Sequence, residues 1–170
     1  MRVYETPAET ASLQQLLDTS FGGASEHLLS IMAPERRLTA ARLVADLTGI
    51  AVLNVATVTA AGEPRVSAVD GHFLHGCWHF TTSGTSPKAR QLRARPATSA
   101  SYTPRDGYGV FCHGRAQFLE RGTPQFTVLR DHCVRTYGQS PDEWGAGIAY
   151  VRIEPSWMVA FTFEREDDTS

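Results

Sequence analysis

Hydrophobic and polar positions change their spacing near residue 50 of this chain. Before that point the apolar residues recur at helical spacing. This predicts two short helices over residues 10–31, separated by Gly22 and Gly23, and a third over residues 39–47. Residues 50–59 are instead rich in Val and Thr and are followed by turn residues, a pattern typical of a β-strand. The chain is therefore predicted to begin with helices and to continue as a β-rich core.

The rest of the pattern predicts more strands and two more helices. Strands are expected over residues 65–73, 77–82, 97–103, 108–119 and 148–163. Pro155 predicts a bulge or an edge position in the last of them. One helix begins at Ser86-Pro87 and the other at Thr123-Pro124, because each pair places a capping hydroxyl before a proline. Antiparallel strands with short helices at the ends favour a mostly-β fold, a small barrel with helices.

Length and composition fit one globular domain. The 170 residues are expected to form a single domain, 1–170, with a helical extension over 1–48, a barrel core over 49–163 and a flexible polar tail over 164–170. The formal net charge of −2 argues against nucleic acid or an anionic membrane as partner. The chain lacks an apolar run of bilayer length, and its first residues lack a signal-peptide pattern, so a cytoplasmic location is expected.

The candidate chemistry lies where the third strand meets the basic helix. Thr81 and Thr82 end the strand, Ser86 caps the helix, Pro87 is its first residue, and Lys88 follows. These hydroxyls, the free N–H groups of the first turn and the lysine would converge on one point, which favours an anion such as phosphate. The same residues would also suit an ordinary surface helix with a solvated lysine.

Magnitudes show what such an anion site requires. A helix N-terminus contributes about 0.3–1 kcal/mol towards an anion, and up to about 2 kcal/mol when partly buried. A micromolar ligand needs roughly 8 kcal/mol. Each charge-assisted hydrogen bond adds roughly 1.5–3 kcal/mol. The site therefore needs Lys88, several hydroxyls, a second cation and burial of the rest of the ligand.

Four segments, in this order and at this spacing, resemble the pyridoxamine 5'-phosphate oxidase-like family of FMN-binding split barrels. They are residues 56–69 (ATVTAAGEPRVSAV), 78–96 (WHFTTSGTSPKARQLRARP), 110–119 (VFCHGRAQFL) and 150–161 (YVRIEPSWMVAF). The resemblance implies a six-stranded antiparallel split barrel. It also implies a two-fold homodimer with FMN between the protomers and a small-molecule substrate.

The resemblance also implies the cofactor-binding residues. A strand in such proteins lies along the flavin ring and meets its pyrimidine edge with backbone groups, while the hydroxyl strand end and the Ser-Pro-Lys segment match the phosphate site. Arg65 would supply the second cation. The residues implied are Arg65, Val66, Ser67, Ala68, Thr81, Thr82, Ser86, Pro87, Lys88 and Phe161.

The chain departs from the pyridoxamine phosphate oxidases themselves in four places. Pro87 stands where they usually have an Arg, Gly109 where they have a Gln, and Phe161 where a Trp faces the flavin. Their C-terminal Arg-Leu-His-x-Arg segment has no counterpart after Phe163. Vitamin B6 oxidase activity is therefore not expected.

Three functional hypotheses remain at this stage. The first is an FMN-dependent oxidoreductase that transfers a hydride between the flavin and a small organic substrate or a nicotinamide, with no catalytic acid or base assigned. The second is a deazaflavin-dependent reductase on the same fold, with Arg90 and Arg93 as candidates for binding its acidic tail. The third is a carrier or sensor that binds flavin or haem without turnover.

Histidines and cysteines do not add a second kind of site. His75 lies in a predicted turn, so His72, His75 and His79 are not expected to share one sheet face, and no metal site is predicted. The chain has three scattered cysteines without a CxxC pair, which predicts buried, reduced thiols. Trp157 is the best candidate for an interface tryptophan.

Overall fold

A computed structural model describes residues 4–163 of the protein. Its α-helices are α1 (Pro7–Gly22), α2 (Glu26–Ile31), α3 (Ala40–Asp46), α4 (Pro87–Ala94) and α5 (Pro124–Tyr137), with short 3₁₀ helices at Pro34–Arg36 and Pro141–Trp144. Its strands are β1 (Ala51–Val58), β2 (Pro64–Leu74), β3 (Cys77–Ser83), β4 (Ala97–Tyr102), β5 (Tyr108–Phe118) and β6 (Ile148–Thr162). The tail predicted over residues 164–170 lies outside the described residues.

The strands form a closed antiparallel barrel in the order β1-β2-β3-β6-β5-β4. Short connections join β1 to β2, β2 to β3 and β4 to β5. The barrel closes because β6 pairs with both β3 and β5 and because β4 pairs with β1. Inward residues alternate along each strand, as Leu53 and Val55 do in β1, and they pack around Trp78 and Phe80 of β3. The predicted six-stranded antiparallel barrel with helices is confirmed.

The N-terminal helices pack against the outside of this barrel. Thr6 and Glu9 form a capping box, so α1 begins at Pro7, earlier than its apolar spacing predicts. Ser20 of α1 accepts a hydrogen bond from the Met158 N–H of β6 at 3.0 Å. Arg37 forms a bridge with Phe161. No helix among residues 4–163 is long and apolar enough to span a bilayer.

A bulge interrupts the pairing of β5 with β6. The register shifts between His113 and Gly114, and Gly114 lies opposite Pro155. This confirms the irregularity that the proline predicted. Strand β3 pairs with β6 only as far as Ile153, so Pro155 pairs with β5 alone and lies beside the bulge, where a missing N–H is tolerated.

Helix α5 covers the outer face where β2, β3 and β6 meet. Phe126, Leu129 and Cys133 are buried there, and the helix ends at Gly138 with a φ of 78°. Val134, which the sequence predicted to face inward, is 38% exposed, and His132 is buried instead. The barrel packs against the face of α5 that carries His132, so Val134, at the edge of the apolar face, is turned towards solvent.

The three cysteines are buried and unpaired, as predicted, and are Cys77, Cys112 and Cys133. Burial raises the pKa of the Cys77 thiol to about 11. Burial also raises the pKa of the other two thiols to about 12. All three therefore remain protonated and unreactive at neutral pH.

One opening breaks the barrel wall, and it positions the candidate site. Strand β2 pairs with β1 along residues 64–71, but it pairs with β3 only from His72 to Leu74. Strand β3 pairs with β6 through Ser83. On the N-terminal side of His72, β2 diverges from β3, and in the described part of the chain no strand occupies the gap between them. We call this gap, between residues 64–71 of β2 and residues 80–83 of β3, the split.

Candidate cofactor site

The start of α4 has the geometry that its sequence predicts. Ser86 is the N-cap with extended backbone, and its Oγ accepts the Ala89 N–H at 3.2 Å. Thr82 Oγ1 lies 3.3 Å from the same Ser86 Oγ. Pro87 is the first helical residue and is exposed, with no N–H to satisfy. The end of β3 and the start of α4 therefore bring two hydroxyls to the remaining free N–H groups of the first turn.

The turn between β3 and α4 is held from both sides. The Gly84 N–H donates to the Gly147 carbonyl at 2.8 Å, and a Cβ at Gly84 would lie 2.5 Å from that oxygen. Glycine is therefore required at position 84. Ser83 and Thr85 hydroxyls lie 3.0 Å apart across the turn. Arg93 donates to the Gly84 carbonyl and packs over Phe118. The turn is fixed before any ligand binds.

Lys88 is half-buried in the first turn of α4. No carboxylate of residues 4–163 forms an ion pair with it. Burial lowers the pKa of its ammonium group. It is also the only lysine in the chain. An anion at the helix start would supply the missing countercharge and reverse the pKa shift.

Arg65, the predicted second cation, is held by its neighbour. Its Nη2 lies 2.6 Å from Glu63 Oε2, and the two side chains are 55% and 58% exposed. Thr57 of β1 pairs with Arg65 of β2 and also hydrogen-bonds Gln91 of α4. Arg65 is therefore one strand further from that helix than Thr57 is. An exposed pair of this kind is worth about 0–1 kcal/mol. The pair with Glu63 is therefore weak, and in this structure Arg65 does not contact the start of α4.

Strand β2 offers its backbone along the split. Val66 and Ala68 face the outer surface, and Val66 is 69% exposed. Ser67 is half-buried on the opposite face, across from Val55. Residues 64–71 of β2 pair with β1 along one edge, and no described strand pairs with their other edge. Alternate residues on that second edge direct unpaired N–H and C=O groups into the split. A planar ring with donors and acceptors on its edge fits such a strand edge.

Two predicted residues do not join this cluster. Thr81 lies opposite Tyr150 on the outer face, because successive side chains alternate and Thr82 points the other way. Phe161 pairs with Gly109, whereas Thr82 pairs with Ala149 near the other end of β6. The path along β6 between these two positions is roughly 40 Å. A single chain therefore does not bring Phe161 to the Lys88 site.

The surroundings of Phe161 explain one departure in the sequence. Its ring stacks parallel to Phe111, with centroids 6.2 Å apart. A Cβ at Gly109 would lie 2.7 Å from the Phe161 ring. A glutamine at position 109 would therefore clash with the phenylalanine as it stands. The glycine and the aromatic ring fit one another.

The cations considered for a longer acidic tail have separate roles. Arg93 binds the turn as described, and Arg90 donates to the Thr85 carbonyl at 2.8 Å. Arg90 also lines an open groove of about 200 Å³ beside Pro87, together with Gln91 and Arg95. Arg95, the C-cap of α4, is therefore the second cation of this groove, and Arg93 is not part of its lining.

Sequence reasoning missed a set of buried polar residues behind the split. His72 and His79 are cross-strand partners under α5, while His75 lies apart in the turn at a φ of 52°. Among residues 4–163 no three His, Cys, Asp or Glu side chains are placed to hold a metal. His72 instead contacts His132 and Tyr137 of α5. His132 and Tyr137 both belong to α5, and Tyr137 lies one helical turn after Cys133. That spacing was the signal in the sequence that these residues face the barrel.

Solved structures share the fold. A conserved hypothetical protein of Mycobacterium tuberculosis matches with a TM-score of 0.63 and 21% identity, over 76% of this chain and 88% of that one. An FAD-binding protein of Mesorhizobium loti matches at 0.58 and 22%, over 74% and 93%. A Listeria innocua protein provisionally assigned as a pyridoxamine 5'-phosphate oxidase matches at 0.58 and 14%, over 71% and 95%.

Two further matches bear other descriptions. An F420 reductase has a TM-score of 0.53 and 20% identity, over 66% of this chain and 91% of that one. A haem-storage protein of Vibrio cholerae has 0.58 and 20%, over 66% and 89%. No family model and no curated protein matches the sequence. The protein therefore has the split-barrel fold of the pyridoxamine 5'-phosphate oxidase-like proteins, and the predicted resemblance is confirmed at the level of the fold.

Proposed function

We propose that the protein is a flavin-dependent oxidoreductase that binds FMN in the split. The observation that supports the proposal is the start of α4, where the Thr82 and Ser86 hydroxyls lie 3.3 Å apart and Lys88 follows with no ion pair to a carboxylate of residues 4–163. The proposed ligand would extend from there to the open edge of β2. FMN needs a dianion site and an edge of hydrogen-bonding groups next to each other. Related folds described as an FAD-binding protein and an F420 reductase support a flavin-type ligand.

The residues of this chain fit the phosphate. Lys88 and a redirected Arg65 supply two cations, and the first turn of α4 supplies N–H donors. Two charge-assisted bonds of roughly 1.5–3 kcal/mol each, with about 1–2 kcal/mol from the helix, give about 4–8 kcal/mol. Burial of the ring against β2 supplies the remainder of a micromolar affinity.

The protein's part in the chemistry is positioning and electrostatics. FMN supplies a ring that accepts and donates hydride. Residues 66–68 orient that ring through their backbone, and Arg65 places positive charge near its edge. The substrate is proposed to be a small organic molecule or a nicotinamide. We propose a cytoplasmic setting for this activity.

Replacing Lys88 tests the phosphate site directly. Lys88→Ala is expected to weaken FMN binding by about 1.5–3 kcal/mol, which is roughly 10- to 150-fold in Kd. Fluorescence titration with FMN measures this change. Lys88→Arg should restore most of the affinity, whereas Arg115→Ala, which removes an exposed charge from β5, should change Kd by less than about twofold. Equal affinity of Lys88→Ala and wild type would show that the phosphate binds elsewhere.

We further propose that the working unit is a two-fold homodimer. One chain keeps Phe161 away from Lys88, so the residues implied for one flavin come together only across two chains. The outer face of β1 and β2 carries two exposed valines, Val52 at 63% and Val66 at 69% exposure. A self-complementary interface would cover this face.

A charge on that face tests the dimer. Val66→Asp is expected to shift the protein to monomer mass and to weaken FMN binding by at least about tenfold, because a carboxylate would be desolvated at the interface. Light scattering and FMN titration measure the two effects. Val134→Asp places the same charge on an exposed valine of α5 and should change neither. A dimeric Val66→Asp protein would contradict the placement of the interface.

The deazaflavin alternative makes a different demand on the site. The groove lined by Arg90 and Arg95 begins beside Pro87 and would take a tail that extends from the phosphate. The absorbance of the purified protein separates the cofactors, near ~450 nm for a flavin and near ~420 nm for a deazaflavin. A sharp Soret band would instead indicate haem, the ligand of the storage protein with this fold.

A further inference from the structure

An open cavity of about 550 Å³ lies between α1 and residues 29–39, and we call it the α1 cavity. Its walls are largely apolar, and the apolar side chains that line it are Leu17, Phe21, Leu29, Pro34 and Leu38. Leu17, Phe21 and Leu38 are at most 5% exposed, so the cavity reaches down to buried side chains. Its lining belongs to the helical extension and to none of the barrel strands.

The cation in this lining, Arg37, lacks an ionic partner. Arg37 is half-buried, and no carboxylate of residues 4–163 forms an ion pair with it. Its Nε donates to the Met32 carbonyl at 3.0 Å, and its guanidinium carbon lies 4.5 Å from the Phe21 ring centroid. The ring holds the guanidinium in place, while its Nη groups have no acceptor among the described residues.

The other polar side chains of the lining already have partners. Gln14 Oε1 accepts the Ala40 N–H at 2.8 Å, and Gln14 Nε2 donates to Asp18 Oδ1 at 2.9 Å. Thr39 Oγ1 accepts the Arg42 N–H at 3.3 Å as the N-cap of α3. Asp18 is exposed and forms no ion pair with Arg37. Within the described lining, Arg37 is therefore the side chain with charged donors left to bind a ligand.

Contacts with β6 hold both sides of the α1 cavity. The Leu38 N–H donates to the Ala160 carbonyl at 3.0 Å, and the Ser20 hydroxyl of α1 accepts the Met158 N–H. Phe21 also packs in one cluster with Val159. The walls are thus attached to the barrel, and the shape of the cavity does not require a ligand.

We propose that the α1 cavity binds a small organic anion with an apolar body. The anionic end accepts hydrogen bonds from the Nη groups of Arg37, and the body is buried against Leu17 and Phe21. A charge-assisted hydrogen bond is roughly twice as strong as a neutral one, so a free guanidinium beside an apolar wall selects an anion over a neutral molecule. An organic cation would be repelled by the same group.

Two other occupants fit less well. Residues 164–170 follow Phe163, over which Arg36 packs, and they carry four acidic residues but no apolar side chain. They match the charge of Arg37 and not the apolar walls. FMN is proposed to bind at Lys88, and no residue of α4 or β2 belongs to the lining of the α1 cavity. Binding in this cavity therefore does not depend on the proposed function.

Fluorescence titration with two probes tests the site. Anilinonaphthalene sulfonate (ANS) is an organic anion with an aromatic body, and N-phenylnaphthylamine has the same body without the sulfonate. Arg37→Gln is expected to weaken ANS binding at least about tenfold, because it removes a charge-assisted hydrogen bond. It should change the Kd of the neutral probe by less than about threefold, since only the packing of the arginine stem is lost. Equal losses for the two probes, or no ANS binding to the wild type, would overturn the proposal.

Three further variants keep the test decisive if Arg37→Gln is poorly folded. Asp18→Asn removes a like charge from the lining and should tighten ANS binding about two- to fivefold, with no change for the neutral probe. Leu29→Trp places a larger side chain in the cavity and should weaken both probes at least about tenfold. Arg36→Gln, at the adjacent exposed arginine outside the lining, should change the ANS Kd by less than about twofold. A Leu29→Trp protein that binds both probes normally would show that they bind elsewhere.

Two controls separate the α1 cavity from the other occupants. Lys88→Ala and deletion of residues 164–170 should each leave the ANS Kd within about twofold of the wild-type value. Loss of ANS binding in Lys88→Ala would mean that the probe reports on the proposed phosphate site. Tighter ANS binding after the deletion would mean that the acidic segment occupies Arg37. Either result would overturn the proposal, whereas a protein that binds ANS as expected and fails to bind FMN would overturn only the proposed function.

Discussion

Acidification from about pH 6.5 to about pH 4 is expected to lower the free energy of unfolding by on the order of 5 kcal/mol. Burial, and next His132, lower the pKa of His72 from 6.5 to about 4. Burial lowers the pKa of His79 from 6.5 to about 3. The unfolded chain takes up both protons below its ordinary pKa while the folded chain does not, so stability is full above about pH 6.5 and falls as the pH decreases.

Urea denaturation across this pH range measures the effect. Each histidine contributes a slope of about 1.4 kcal/mol per pH unit, so the two together are large against a total stability of roughly 5–15 kcal/mol. His79→Asn keeps a donor to the Cys77 carbonyl but does not titrate, so it should reduce the slope by about half. An unchanged slope in that variant would mean that His79 takes up its proton in the folded state.

Gly114→Ala is expected to destabilise the protein by about 3 kcal/mol or more, the scale of a backbone clash in a packed sheet. Its Cβ would lie 2.1 Å from the Glu154 carbonyl oxygen and 3.0 Å from the Pro155 Cα. Both contacts are with backbone, so no side-chain rotation relieves them. Closing β5 onto β6 requires this approach, since the bulge at Gly114 carries the strand past Pro155.

Chemical denaturation compares this variant with Gly22→Ala. A Cβ at Gly22 has no atom within 4 Å, and the residue ends α1. That substitution should leave stability unchanged or raise it by a few tenths of a kcal/mol. If Gly114→Ala unfolds at the wild-type urea concentration, the two strands are not held together at the bulge as described.

Both predictions concern the stability of the barrel wall around the split, on which the proposed function depends. The split is present because β2 pairs with β3 only from His72 to Leu74, while α5 and the pairing of β5 with β6 cover and close other parts of the wall. The first prediction probes the polar layer under α5, and the second probes the pairing of β5 with β6.

Local chemistry made much of the barrel predictable. The stretch rich in Val and Thr over residues 50–59 predicted β1, and Thr123-Pro124 and Gly138 predicted the ends of α5. The cap at Ser86-Pro87 was equally local and formed as predicted. The inward face of α5 was predicted less well, because Val134 and His132 are both compatible with its spacing.

What the sequence determined by itself is the set of elements, the capped start of α4 and the residues around it, because caps, turns and strand alternation act over a few neighbours. Only the tertiary structure decided which partners those residues have. It paired Arg65 with Glu63, turned Thr81 away from Thr82, kept Phe161 at the far end of β6, and joined His72 to His132 across 60 residues of chain. Such contacts depend on how a closed barrel and its helices pack, and packing brings together positions that no local pattern relates.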